Sequence, residues 1–159
     1  MDPEHAGYRH VACIVDRSPG SARTLREAQR LAAGGGARLS AVHVDNWIPL
    51  AMACSAWVPD LAELRECSRL WLWEELRALG AEDAEPVVVD SPAAVCDWAR
   101  RRDVELIVAQ RCRGGLRRLL GFDMSAHLTR RAPCPVLIVD GGASREDVPG
   151  LAVGRAASA

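Results

Sequence analysis

Residues 10–44, HVACIVDRSPGSARTLREAQRLAAGGGARLSAVHV, decide the fold. His10 to Val15 is a continuous apolar run, closed by Asp16 and by Ser18-Pro19-Gly20. It lacks the polar alternation of a half-exposed strand, so it reads as a strand buried on both faces. From Ser21 to Ala33, Leu25, Ala28 and Ala32 fall on one side of a helix, and Gly34-Gly35-Gly36 supplies its stop. Arg38 to Val44 (RLSAVHV) is a second strand. Strand, helix and strand in so short a span form a crossover unit, with the two strands parallel.

Outward from this unit the pattern repeats. Leu61, Leu64, Trp71, Leu72, Leu76 and Leu79 mark a long amphipathic helix that Gly80 closes. Glu85 to Val89 is the third strand. Ser91 caps the next helix, Pro92 takes its first position, and Val95, Trp98 and Ala99 form its apolar face. Val104 to Ala109 is the fourth strand. An Arg- and Gly-rich loop runs from Gln110 to Phe122, Asp123 to Arg131 is a short helix, and Pro135 to Val139 is the fifth strand. The expected fold is α/β, a five-stranded parallel sheet with helices on both faces, a Rossmann-type sandwich. Ligands of such sheets bind beyond the strand ends, where the strand order reverses. That gathers Asp16, the stretch after Val44 and the 109–123 loop around one crevice. Residues 1–8 read as an N-terminal extension, 9–140 as the domain, and 141–159, rich in Gly, Ala and Ser, as a flexible tail.

Composition narrows the function. A chain of 159 residues is one domain of ordinary size, and 49% hydrophobic with 26% charged residues is a globular balance. The net charge of −1 gives no basic field for nucleic acid or an anionic membrane. No uncharged run approaches the ~18 residues that span a bilayer. The start, MDPEHAGYRH, has no apolar signal core, so a cytoplasmic location is expected. All 20 basic residues are Arg, which excludes Schiff-base and phosphate-loop lysines. The six cysteines, at 13, 54, 67, 96, 112 and 134, contain no Cys-x-x-Cys pair. They read as reduced thiols, mostly in the core, rather than as a disulfide framework or a zinc site.

Two stretches carry a family resemblance. One is Val15-Asp16 followed by Ser18-Pro19-Gly20-Ser21. The stronger is ELIVAQRCRGGLRRLLGFDMSAHLTRRAPCPVLIVD, residues 105–140. Through these the sequence resembles the universal stress proteins over residues 9–140. The resemblance implies a five-stranded parallel sandwich that commonly dimerises through its last strand. It also implies one of two groups, ATP-binding or not. ATP-binding members carry Gly-x2-Gly-x9-Gly-[Ser/Thr] after the fourth strand. Those glycines admit backbone N–H groups close to the phosphates, and the final hydroxyl residue opens a helix whose N-terminus faces the anion.

Aligned without gaps, this chain has Ala109 and Cys112 at the first two glycines, with Gln110 and Arg111 between them. Phe122 and Asp123 stand at the final Gly-Ser. Ala109 is a mild change. Cys112 adds a side chain where backbone must approach. Phe122 is bulky. Asp123 can cap a helix, but its carboxylate lies where a phosphate would sit. Two like charges about 4 Å apart repel by ~1 kcal/mol in water and ~4 kcal/mol at an effective dielectric of 20. Deleting one residue brings Gly121 to the third glycine but leaves Phe122 after it; Ser125 supplies a hydroxyl only if the helix start shifts. Asp16 keeps the residue that lies by the ribose in ATP-binding relatives, while Arg17 replaces a frequent glycine. With Val44 and Arg113, these residues make a candidate, vestigial nucleotide crevice.

Other features have two readings each. Arg111, Arg113, Arg117 and Arg118 form either a solvated loop or an anion site of guanidinium groups. Cys112, between Arg111 and Arg113, is either a substituted glycine or a thiol activated for redox sensing. Residues 47–59, WIPLAMACSAWVP, carry no charge. They are either an extension of the core or an apolar lid and docking surface for a protein partner. Trp71 fits the core face of the long helix and Trp73 lies off it. His43 reads as a hydrogen-bonded core histidine, and His127 lacks a recognisable catalytic partner. No hydrolase elbow, zinc-protease helix or lysine phosphate loop is present, so no enzyme is expected. The favoured reading is a non-catalytic stress-response or regulatory binding module. It would act through protein contacts, bind no cofactor, and pair as a homodimer through the 135–139 strand. The alternative is a switch that binds ATP or another nucleotide with the altered Arg-rich loop. Membrane and nucleic-acid partners are not expected.

Overall fold

The computed structural model describes residues 7–45, 60–111 and 124–140. Their elements follow in order as β1 (His10–Ile14), α1 (Ser21–Gly35), β2 (Arg38–Val44), α2 (Leu61–Ala78), β3 (Glu85–Val89), α3 (Pro92–Arg101), β4 (Leu106–Gln110), α4 (Met124–Arg131) and β5 (Val136–Val139). The strands form one sheet in the order β3-β2-β1-β4-β5, and each neighbouring pair is parallel. This is the five-stranded parallel α/β fold that the alternation implies.

β1 is buried throughout because both of its faces are covered. Val11, Cys13 and Val15 point into one core with Leu25 and Ala28 of α1 and Leu72 and Leu76 of α2. Ala12 and Ile14 point into the other, with Val95 and Ala99 of α3 and Leu128 of α4. Leu25, Leu72, Leu76, Ile107 and Leu128 are fully buried, each worth about 1.5–3 kcal/mol of transfer free energy. Asp60 caps α2 through Ala62 N–H at 2.9 Å, and Ser91 caps α3 through Ala94 N–H at 3.2 Å. No helix among the described residues is long and apolar enough to cross a membrane.

Several boundaries differ from expectation. α1 runs through Gly34 and Gly35 and stops only at Gly36, whose φ of 64° is left-handed. There Ala37 N–H donates to Ala32 O at 2.9 Å, a closure that needs that backbone shape. β4 begins at Leu106 rather than Val104, because Asp103 turns the chain with a φ of 50°. At its far end Gln110 belongs to β4 and not to the loop: it pairs with Val139, and Arg111 N–H donates to Val139 O at 2.9 Å. β5 begins one residue after Pro135, whose carbonyl accepts from Ile107 N–H at 3.0 Å. The 47–59 segment, residues 112–123 and the 141–159 tail lie outside the described residues.

Candidate functional site

The chain leaves β1 for β2 on one side, while β4 lies on the other. The strand order therefore reverses between β1 and β4, and the crevice beyond their C-terminal ends is the expected site. Asp16 and Arg17 follow β1, Val44 ends β2, and Ala109 and Gln110 end β4. These residues do share one end of the sheet.

The loop between β1 and α1 closes on itself there. The Asp16 carboxylate accepts from Ser18 N–H at 2.9 Å, from the Ser18 hydroxyl, and from Ser21 Oγ at 2.7 Å. Asp16 N–H in turn donates to Ser21 Oγ at 2.9 Å. Ser18 Oγ also lies 2.8 Å from Gln110 Oε1, so one hydroxyl joins the β1 loop to the end of β4. Gly20 makes this approach possible. A Cβ built there would lie 2.3 Å from Gln110 Nε2, so the amide rests where any other residue would put its side chain. The Gln110 side chain thus spans the point of strand reversal. Ala109 beneath it is buried.

On the β2 side, Arg17 lies over the Trp71 ring at 4.5 Å from its centroid. This is worth about 0.5–1 kcal/mol at an exposed position. The indole is fixed by His43, whose ring centroid is 4.7 Å away and tilted 59°. His43 is itself held in the core through Nδ1 and Val15 O at 2.9 Å. Next to it Asp45 is buried, and its Oδ2 accepts from Ser68 Oγ at 2.7 Å. Sequence reasoning passed over Asp45 and Ser68. The signal was present: His43-Val44-Asp45 repeats the Ile14-Val15-Asp16 ending of the first strand. Ser18 was read only as a turn residue, and its bridge to Gln110 depends on a strand pairing that no local pattern encodes.

The remaining predicted residues are less engaged. Arg111 pairs through Nε with Asp140 Oδ1 at 2.7 Å, and both are exposed. Ser125 lies in the first turn of α4, where its carbonyl accepts from Thr129 Oγ1 at 2.7 Å. Cys112, Arg113, Gly121, Phe122 and Asp123 lie outside the described residues. Among the described residues no three His, Cys, Asp or Glu side chains cluster as a metal site would require.

Two described cavities lie elsewhere. One, of about 480 Å³, sits at the opposite end of the sheet between Arg9, His10, Arg38, Arg102 and Glu105. Two of its arginines are paired, Arg9 with Glu105 at 2.7 Å and Arg102 with Glu85 outside the lining at 2.6 Å. The backbone N–H and guanidinium of Arg9 hold the Glu105 carboxyl below the usual carboxylate range. The other, of about 440 Å³, lies between Arg23, Arg26, Glu27 and Arg30 of α1 and Val139 of β5.

A five-stranded parallel sheet in this order is a Rossmann-like α/β fold. The model of the universal stress protein family matches residues 7–140. The chain belongs to the universal stress protein family. Among solved structures, a universal stress protein in complex with cAMP is 26% identical, covers 86% of this chain and 99% of its own, and has a TM-score of 0.57. A family member from Burkholderia pseudomallei is 25% identical over 84% of this chain and 97% of its own, at a TM-score of 0.53. A universal stress protein from Lactobacillus plantarum is 17% identical over 84% and 99%, at 0.58, and shares the fold. Comparison with curated proteins gives no match.

Proposed function

We propose that this chain is a non-catalytic stress-response and regulatory binding module. It acts through protein contacts, with a crevice no longer shaped for a nucleoside triphosphate. The observation that carries the reading is the Ser18 bridge between Asp16 and Gln110 across the strand reversal. The carboxylate that would face a ribose takes its donors from its own loop, and Gln110 lies over the start of α1. Cys112, Phe122 and Asp123 add to this, since none offers the close backbone approach or hydroxyl of the phosphate-binding pattern.

The edge position of β5 supports pairing of two copies through residues 135–139. Among the described residues one side of the strand has no neighbour in the sheet, and Leu137 is 37% exposed. The uncharged 47–59 segment is the proposed contact for a protein partner.

A second reading, a nucleotide switch with an altered site, is favoured by the similar protein in complex with cAMP. Extraction of heat-denatured, freshly purified protein separates the two. The module reading expects no stoichiometric nucleoside triphosphate in the extract. One ATP per chain would overturn it.

A further inference from the structure

We infer that the outer face of α2 is a contact between two copies of this chain, with the two helices antiparallel about a two-fold axis. The contact is distinct from the β5 edge and does not rest on the function proposed above.

The face is marked by what it leaves in solvent. Among the described residues the exposed large apolar side chains are Leu70, Trp73 and Leu137. Leu70 is 53% exposed and Trp73 48%, and they lie one turn apart on α2. Leu72 and Leu76, on the other side of the helix, are buried in the core. Glu66, Leu70, Trp73 and Arg77 follow one another at spacings of four, three and four, which keeps them on one line of a helix. Packing on the sheet thus explains Leu72 and Leu76 but not Leu70 and Trp73. An apolar pair in solvent with charges at its rim is the pattern of a contact surface.

The order of the charges chooses the occupant. Along α2 the stripe runs from Glu63 in the first turn and Glu66, through Leu70 and Trp73, to Arg77 in the last turn. Acidic, apolar and basic in sequence, it is its own complement when turned end for end. Leu70 of each copy then falls opposite Trp73 of the other, and Glu66 opposite Arg77, twice over as a two-fold axis requires. A parallel pair would set Glu66 against Glu66 and Arg77 against Arg77. The helix dipoles also oppose one another favourably only in the antiparallel pair. A purely acidic or purely basic partner would match one end of the stripe and repel the other.

Both charged residues have capacity for such a pair. The Arg77 guanidinium lies 5.5 Å from the Trp73 ring centroid and 4.0 Å from Glu82, the outer limit of an ion pair. Glu66 takes Arg69 at 2.7 Å, and that guanidinium holds its carboxyl below the usual carboxylate range, so Glu66 is charged at neutral pH. Its remaining lone pairs can accept a second guanidinium. An 18-residue helix is about 27 Å long, so one such pair buries less than the ~1,600 Å² of a standard interface. The association is therefore weak, with a Kd of about 10–100 μM.

The test is sedimentation velocity of the full chain from about 1 to about 300 μM, which spans that range. The chain carries Leu137→Glu, which opposes pairing through β5, so that the mass reports the α2 contact. Trp73→Ser, Arg77→Glu and the exchange Glu66→Arg/Arg77→Glu are added to it, each checked for native melting. The mass should rise from one chain toward two as concentration rises. Trp73→Ser and Arg77→Glu should each weaken association at least about tenfold. The exchange should return the affinity to within about threefold of its value before Arg77→Glu. Residues 66 and 77 stand about 16 Å apart along one helix, so that recovery can come only from a pair between copies. A mass that does not rise with concentration overturns the inference, whether the 47–59 segment or a different protein then covers the face. Association undiminished by Trp73→Ser, or not recovered in the exchange, overturns it as well.

Discussion

Asp16 can be assigned from the sequence, but its partners cannot. A Val-Asp ending on a buried strand marks the residue; that Ser18 and Ser21 satisfy its carboxylate emerges only when the loop folds back. Cysteine reactivity is similarly split. Burial pushes the Cys13 thiol far up, with the Asp16 charge adding to it, and burial also raises Cys96 and Cys134. Cys67 is exposed on α2, which its position between Glu66 and Ser68 did not announce. Mass-mapped alkylation under native conditions should label Cys67 well before Cys13, Cys96 and Cys134. Faster labelling of Cys13 would contradict the packing of β1. Cys112, expected to be the most reactive, is then read in a Cys67→Ala background. His10 provides the pH dependence. Burial lowers its pKa below 6.5; the Arg102 carbonyl, at 3.0 Å from Nδ1, opposes this, and the Arg38 charge reinforces it. A folded value below the unfolded one means that the unfolded chain binds the proton more readily. The stability contributed by neutral His10 is present above 6.5 and is lost as pH falls through the folded value. Urea midpoints should fall from about pH 7.5 to about 5.5, and His10→Gln should flatten that fall. An equal slope in the variant would assign the effect to another group.

Elements with a clean period were legible, and their ends were not. β1, β2 and β3 follow from unbroken apolar or Val-rich runs, and α3 from Ser91-Pro92. The stop of α1 was blurred because three consecutive glycines offer the same signal, and only Gly36 takes the left-handed conformation. Gly36→Ala should therefore destabilise the protein by about 1–2 kcal/mol, whereas Gly34→Ala should be neutral or mildly stabilising, with helical backbone and open space around its Cβ. Thermal melts of the two variants check this, and equal losses would misplace the helix end. The two-residue shift of β4 has a different origin. Val104 is buried like a strand residue, yet the left-handed turn at Asp103 delays pairing until Leu106. At the far end of β4, Gln110 pairs with Val139 and so lies on the sheet at the strand reversal, where the sequence had placed only a loop.

For the whole molecule, the alternation of strands and helices was enough to give the layers, because a short crossover leaves few arrangements of a parallel sheet. Strand order was not written in any local pattern; it fixes β5 at one edge and the reversal between β1 and β4. The family followed from residues 105–140, whose wording survives even where the phosphate pattern does not. The chain keeps the family's sheet, and the proposed function holds that Cys112, Phe122 and Asp123 no longer suit a triphosphate. Calorimetric titration with ATP and magnesium, at equal salt, of wild type and of Cys112→Gly/Phe122→Gly/Asp123→Ser tests it most directly. Removing the Asp123 carboxylate relieves ~1–4 kcal/mol of repulsion per nearby phosphate charge, and each 1.4 kcal/mol is about tenfold in affinity. The account predicts no ATP binding tighter than about millimolar by the wild type and a gain of at least about tenfold in the triple variant. Micromolar binding by the wild type, undiminished by its own Phe122 and Asp123, would contradict it.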